Sequence, residues 1–143
     1  MSPLPPAPAS APPLCGLCIL LVEDDFEVRE ATESLLQEEG ASVLSVDSAE
    51  PALALLDGTT PLGLVISDVV LGGPLSGIDV AEAARRRRPA VPVLFVTGYA
   101  APAETLGRRL PVDVPLLLKP FRRATLLAAV TATLNAASRR VHA

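Results

Sequence analysis

Four apolar runs of strand length, each ending in reactive polar groups, constrain this chain more than any other feature. Leu17 to Val22 ends in Glu23-Asp24-Asp25, and Leu64-Val65-Ile66-Ser67 ends in Asp68. Val91 to Val96 ends in Thr97-Gly98, and Val114 to Leu118 ends in Lys119-Pro120. A glycine-rich loop, Leu71-Gly72-Gly73-Pro74-Leu75-Ser76-Gly77, follows Asp68. In open α/β sheets the carboxyl edge of the strands is where sites are built. Acids, a hydroxyl and a lysine gathered at that edge describe a site for a divalent metal and a phosphoryl group.

Between these runs the spacing turns helical. Val28, Thr32, Leu35, Leu36 and Glu39 predict a helix over Asp25 to Glu39, ended by Gly40. A short strand, Ala41 to Val46, comes next. Ser48 is placed to cap a helix from Ala49 to Leu56 that stops at Asp57-Gly58. The third strand is Gly63 to Ser67, with Asp68 at its tip. Ile78 to Arg88 is a helix stopped by Pro89, and Pro102 to Leu110 a short one. Phe121 to Ala137 is the last, with Leu126, Leu127, Val130 and Leu134 on one face. The order βαβαβαβαβα, with continuously apolar strands, predicts an α/β fold: a parallel sheet covered on both faces.

Composition narrows the class. The 143 residues suit one domain with a real core, and the scarcity of aromatic residues (3%) makes that core aliphatic. No run approaches the roughly 20 apolar residues that span a bilayer. The net charge of −4 argues against nonspecific nucleic-acid binding, and no direct DNA binding is expected. Cys15 and Cys18 form a C-x-x-C, but a strand pattern follows it rather than a helix, and zinc would need further ligands. Residues 1–14 read as a proline-rich, disordered extension without the basic start of a secretory signal. Arg85 to Arg88 reads as a solvated helix C-terminus or a contact for an acidic partner.

Alone, each strand-end group has an ordinary explanation, such as N-capping for adjacent acids or a turn for a terminal aspartate. Together, Ile19-Leu20-Leu21-Val22-Glu23-Asp24-Asp25, Val65-Ile66-Ser67-Asp68, Phe95-Val96-Thr97-Gly98 and Leu118-Lys119-Pro120-Phe121 resemble the response-regulator receiver domain of two-component signalling. The resemblance covers about Leu17 to Ala137, and the Asp24–Asp68 and Thr97–Lys119 intervals fit the family. The loop after Asp68 and Thr97-Gly98-Tyr99-Ala100 are similar to receivers of hybrid kinases and some stand-alone receivers.

The resemblance implies a flavodoxin-like, doubly wound (βα)5 fold with five parallel strands in the order 2-1-3-4-5. It implies a receiver over residues 15–137, and because only the short tail 138–143 follows, no output domain is expected. Asp68 would be the phosphoacceptor. Glu23, Asp24, Asp68 and the backbone carbonyl of Val70 would hold Mg²⁺, or Mn²⁺ in its place. Lys119, Thr97 and the Gly98 N–H would bind the phosphoryl group, and Lys119-Pro120 would be a cis peptide. The donor would be a histidine kinase or a histidine phosphotransfer protein, and a further protein would receive the signal. The expected place is the cytoplasm. Such a chain is not a classical enzyme: it catalyses its own phosphotransfer and autodephosphorylation.

Two positions depart from the family pattern. Leu116 stands three residues before the lysine, where receivers carry a switching Tyr or Phe, and Tyr99 offers another aromatic. Val70 and Tyr99 flank the phosphoryl position and lack a general base, so slow autodephosphorylation is expected. The other readings are a pseudo-receiver that binds partners without phosphorylation, and a Mg²⁺-dependent aspartyl phosphatase. The second lacks its acid, because Val70 occupies that place.

Overall fold

Side-chain alternation along the strands decides how the layers stack. The computed structural model describes residues 12–98, 110–111 and 113–141. Among them, five parallel strands run in the order β2-β1-β3-β4-β5: β1 Cys18–Val22, β2 Ser42–Val46, β3 Leu64–Asp68, β4 Val93–Thr97 and β5 Leu116–Leu118. Helices α1 (Phe26–Glu38), α2 (Ala49–Asp57), α3 (Gly77–Arg87) and α4 (Arg123–Val141) connect or follow them. The doubly wound arrangement and its strand order are those expected.

Successive strand residues feed opposite cores. Leu20, Val22, Val65 and Phe95 pack with Ala52, Leu56, Ile78, Ala81 and Ala84 of α2 and α3. Ile19, Leu21, Leu64, Ile66, Leu94 and Val96 pack with Leu36 of α1 and Leu126 and Val130 of α4. All residues of β3 and β4 are buried, because both strands are internal and covered on both faces. Leu14, which the sequence assigns to the proline-rich extension, belongs to the second core, and its N–H donates to Glu39 O at 2.8 Å.

Prolines trim two predicted strands. β4 starts at Val93 and β5 at Leu116 because Pro92 and Pro115 have no N–H for the ladder. Their carbonyls still accept, from Val65 N–H at 3.0 Å and Phe95 N–H at 2.9 Å. Helix α4 continues past Ala137 to Val141. The helix predicted over Pro102 to Leu110 lies, apart from Leu110, outside the described residues.

Caps set the helix starts. Asp25 accepts from Val28 N–H at 3.0 Å to begin α1, and Gly40, at φ 103°, closes the turn after its end. Ser48 stands at the N-cap of α2 but does not cap it; its hydroxyl donates to Asp47 Oδ1 at 3.2 Å. Ser76 caps α3 by accepting from Ile78 N–H at 3.1 Å, while Asp79 accepts from Ser76 N–H at 2.8 Å. Gly77 starts that helix hard against β3: a Cβ there would collide with the Asp68 carbonyl. Its N–H donates to Val69 O at 2.9 Å, closing the intervening loop.

Arg85 to Arg87 are exposed in the last turn of α3, in keeping with the solvated C-terminus reading, and Arg88 departs from it. Arg88 folds back onto the end of α2, donating to the carbonyls of Leu55, Leu56, Gly58 and Thr60 at 2.6–3.2 Å. Helix C-termini leave carbonyls without partners, and Arg88 supplies them. Arg85 pairs with Asp113 at 2.7 Å and Arg87 with Asp57 at 3.0 Å.

Candidate functional site

Strands β1, β3 and β5 deliver the charged groups to one end of the sheet. Glu23 still belongs to the sheet, its N–H donating to Val46 O at 3.1 Å. The chain then turns through Asp24 and Asp25 into α1. Asp68 is the last residue of β3, and Lys119 directly follows β5. Thr97 ends β4 between them, and its carbonyl accepts the Lys119 N–H at 2.7 Å. The Lys119-Pro120 peptide is cis.

Glu23 and Asp68 are buried and Asp24 is exposed, with one carboxylate oxygen of each lying within 4.8 Å of the others. Lys119 Nζ reaches two of the three, donating to Glu23 Oε1 at 2.7 Å and Asp68 Oδ2 at 2.9 Å. The second oxygens take backbone donors: Asp25 N–H to Glu23 Oε2 at 3.2 Å and Val70 N–H to Asp68 Oδ1 at 3.3 Å. Gly72 of the loop approaches Asp24, where a Cβ would stand 3.3 Å from Oδ2.

One ammonium does not balance three carboxylates. Partial burial, followed by the hydrogen bond and charge of Glu23, raises the Asp24 pKa above its ordinary 3.8. Burial alone would lower Lys119, but its bonds to Glu23 and Asp68 and their charges outweigh it, so its pKa rises above 10.5. The lysine therefore stays charged, and a negative surplus remains. An all-oxygen donor set with surplus negative charge fits a hard divalent cation, and exposed Asp24 leaves a side open to water.

The other predicted positions divide. Thr97 is fully buried at the edge of the cluster, and Gly98 follows it, exposed. Val70 is half-buried beside Asp68. Leu116 is 40% exposed on β5 and belongs to neither core. Tyr99 lies outside the described residues. Cys15 and Cys18 are free thiols, with Cys18 serving as the first residue of β1. One residue escaped the sequence reading: Arg29 Nη1 donates to the Glu23 carbonyl at 2.8 Å. An arginine early in a helix reads as solvated, so no pattern marks it.

Comparison with known proteins bears on the same residues. A family model described as the response regulator receiver domain matches residues 19–131. This chain belongs to the receiver-domain family. The match takes in every member of the acid and lysine cluster. Response regulator receiver protein CpdR of Brucella abortus is 32% identical over 119 residues, covering 83% of this chain and 98% of CpdR. Response regulator protein FleR of Pseudomonas aeruginosa is 38% identical over 109 residues, covering 76% of this chain but only 23% of FleR. A crystal structure of a response regulator receiver protein from Sinorhizobium medicae superposes with a TM-score of 0.75 at 33% identity, over 85% of this chain and 96% of that one.

Receivers act in two-component phosphorelay signalling through histidine kinases or phosphotransfer proteins, and they bind Mg²⁺ at an acidic pocket. Glu23, Asp24 and Asp68 form an acidic pocket of that kind in this receiver. No helix among the described residues is long and apolar enough to cross a membrane.

Proposed function

We propose that this receiver accepts a phosphoryl group on Asp68 from a phosphohistidine of a kinase or phosphotransfer protein. The carrying observation is the convergence of Asp68 with Glu23, Asp24 and the Lys119 ammonium. Glu23, Asp24, Asp68 and the Val70 carbonyl would hold Mg²⁺ or Mn²⁺, which when bound neutralises charge on the phosphoryl oxygens. An Asp68 carboxylate oxygen attacks phosphorus, the P–N bond breaks, and the imidazole leaves with its electron pair. Lys119 exchanges its bond to Asp68 Oδ2 for one to a phosphoryl oxygen, acting as a point charge. The Thr97 hydroxyl and the Gly98 N–H donate to the remaining oxygens. Val70 and Tyr99 offer no general base, so hydrolysis of the acyl phosphate is slow.

The unit that acts is the receiver expected over residues 15–137, together with buried Leu14 and the rest of α4, working in the cytoplasm and signalling by protein contact or phosphate shuttling rather than by binding DNA. A phosphorylation-independent interaction module is the second reading, favoured by the non-aromatic, exposed Leu116. Acetyl phosphate with Mg²⁺ separates the two: the phosphoacceptor gains one phosphoryl mass and the Asp68→Asn variant gains none. Equal labelling of both proteins, or none of either, sinks the assignment. Steady turnover of a phosphate ester would instead reveal an aspartyl phosphatase.

A further inference from the structure

The peptide that leads from β1 into the acidic turn has one end held by the sheet and the other by a helix side chain. Glu23 N–H is fixed to Val46 O, but strand pairing with β2 ends at Val22 opposite Val46, so the Glu23 carbonyl, which faces the same side, finds no backbone donor among the described residues. Arg29 Nη1 takes that carbonyl at 2.8 Å. The guanidinium is itself restrained, with its carbon 5.4 Å from the centroid of the Phe26 ring. Phe26 is 62% exposed, and the ring's contact with Arg29 accounts for an aromatic residue at so open a place.

We infer that Arg29 is a positioning residue for the cation site. A peptide unit is planar, so fixing the Glu23 carbonyl fixes the plane that carries the Asp24 nitrogen. That plane sets where the exposed Asp24 carboxylate stands relative to buried Glu23 and Asp68. The inference rests on the cation reading of the site.

Arg29 has two effects of opposite sign. Its positive charge, near the acids, opposes a second cation. Its hydrogen bond holds the ligands in place and favours that cation, as outer partners of metal ligands do. Removing the side chain shows which effect dominates.

The experiment is a titration of the unphosphorylated chain with Mn²⁺, reading free Mn²⁺ by electron paramagnetic resonance, with no phosphodonor present. Arg29→Met should raise the Mn²⁺ Kd about tenfold. Arg29→Lys, which keeps a charged donor, should recover most of the affinity. Phe26→Leu, at an exposed position, should fold normally and raise the Kd in the same direction by less. Asp24→Asn should remove binding and so locate the signal. Unchanged or tighter binding by Arg29→Met overturns the inference, as does a wild-type chain that binds no Mn²⁺. Should Arg29→Met fail to fold, unchanged binding by Phe26→Leu overturns it instead. Weakened binding by Arg29→Met upholds it even if Asp68 takes no phosphoryl group, so this inference and the phosphoacceptor assignment fail separately.

Discussion

Lys119 and Arg88 are both cations drawn in against the fold, and their surroundings are opposite. Arg88 spreads its donors over four backbone carbonyls at the end of α2, which are neutral. Nothing is left over there, and the contact ties α3 to α2. Lys119 meets two of three clustered carboxylates, and the surplus negative charge is left for another cation. A charge with balanced partners holds a fold together. A charge set among too many partners of the opposite sign leaves room for chemistry.

The sharpest way to break this contrast is to exchange phenotypes. Asp68→Asn should abolish labelling by acetyl phosphate while keeping the urea midpoint at or above that of wild type, because like-charge repulsion is relieved. A large loss of stability would show that the cluster is structural. Removing Mg²⁺ with a chelator should likewise stop labelling without changing the circular dichroism spectrum.

Arg88→Ala should do the reverse. It strips partners from carbonyls at the α2 end, which costs about 2–3 kcal/mol by urea unfolding. Labelling of Asp68 in the folded fraction should stay at the wild-type rate. A slowed rate would mean that the two ends of the sheet communicate.

The smallest effects are in pH. The folded pKa of Lys119 is raised, so its stabilising contribution is complete below 10.5 and is lost as pH climbs through the folded value. The alkaline fall in urea midpoint should therefore be shallower in Lys119→Met. Asp24 is an acid with a raised pKa, so protons compete for it at higher pH than for an ordinary aspartate. Mg²⁺ affinity should weaken on acidification starting above pH 3.8, which calorimetric titrations of the wild-type chain at a series of pH values would show.

What the sequence discloses follows the range of the forces. The apolar runs of β1, β3 and β4 and the acids at their tips are local patterns, so the covered parallel sheet and the acids at its edge could be read in advance, while the strand order came from the family resemblance. Proline effects were local too, yet Pro92 and Pro115 shortened strands that hydrophobicity alone extended. The unread features depend on partners distant in the chain. Arg88 looked solvated because the α2 carbonyls it caps lie some thirty positions earlier. Lys119 was expected to serve the phosphoryl group and also binds Glu23, a residue from the opposite end of the sequence. Leu14 sits in a proline-rich stretch, and only the core on the α1 and α4 side reveals its burial. Ser48 has the right type and place for a cap, but its hydroxyl bonds to Asp47.

The bond from Gly77 N–H to Val69 O has a consequence for how this family can vary. It joins the two stems of the loop directly beneath Asp68, so the intervening residues form a closed ring whose circumference is independent of its base. Residues inserted near Gly73, where a side chain would meet open space, lengthen the ring without shifting the aspartate. Natural selection can therefore remodel that rim for new partners while the chemistry beneath it stays in register.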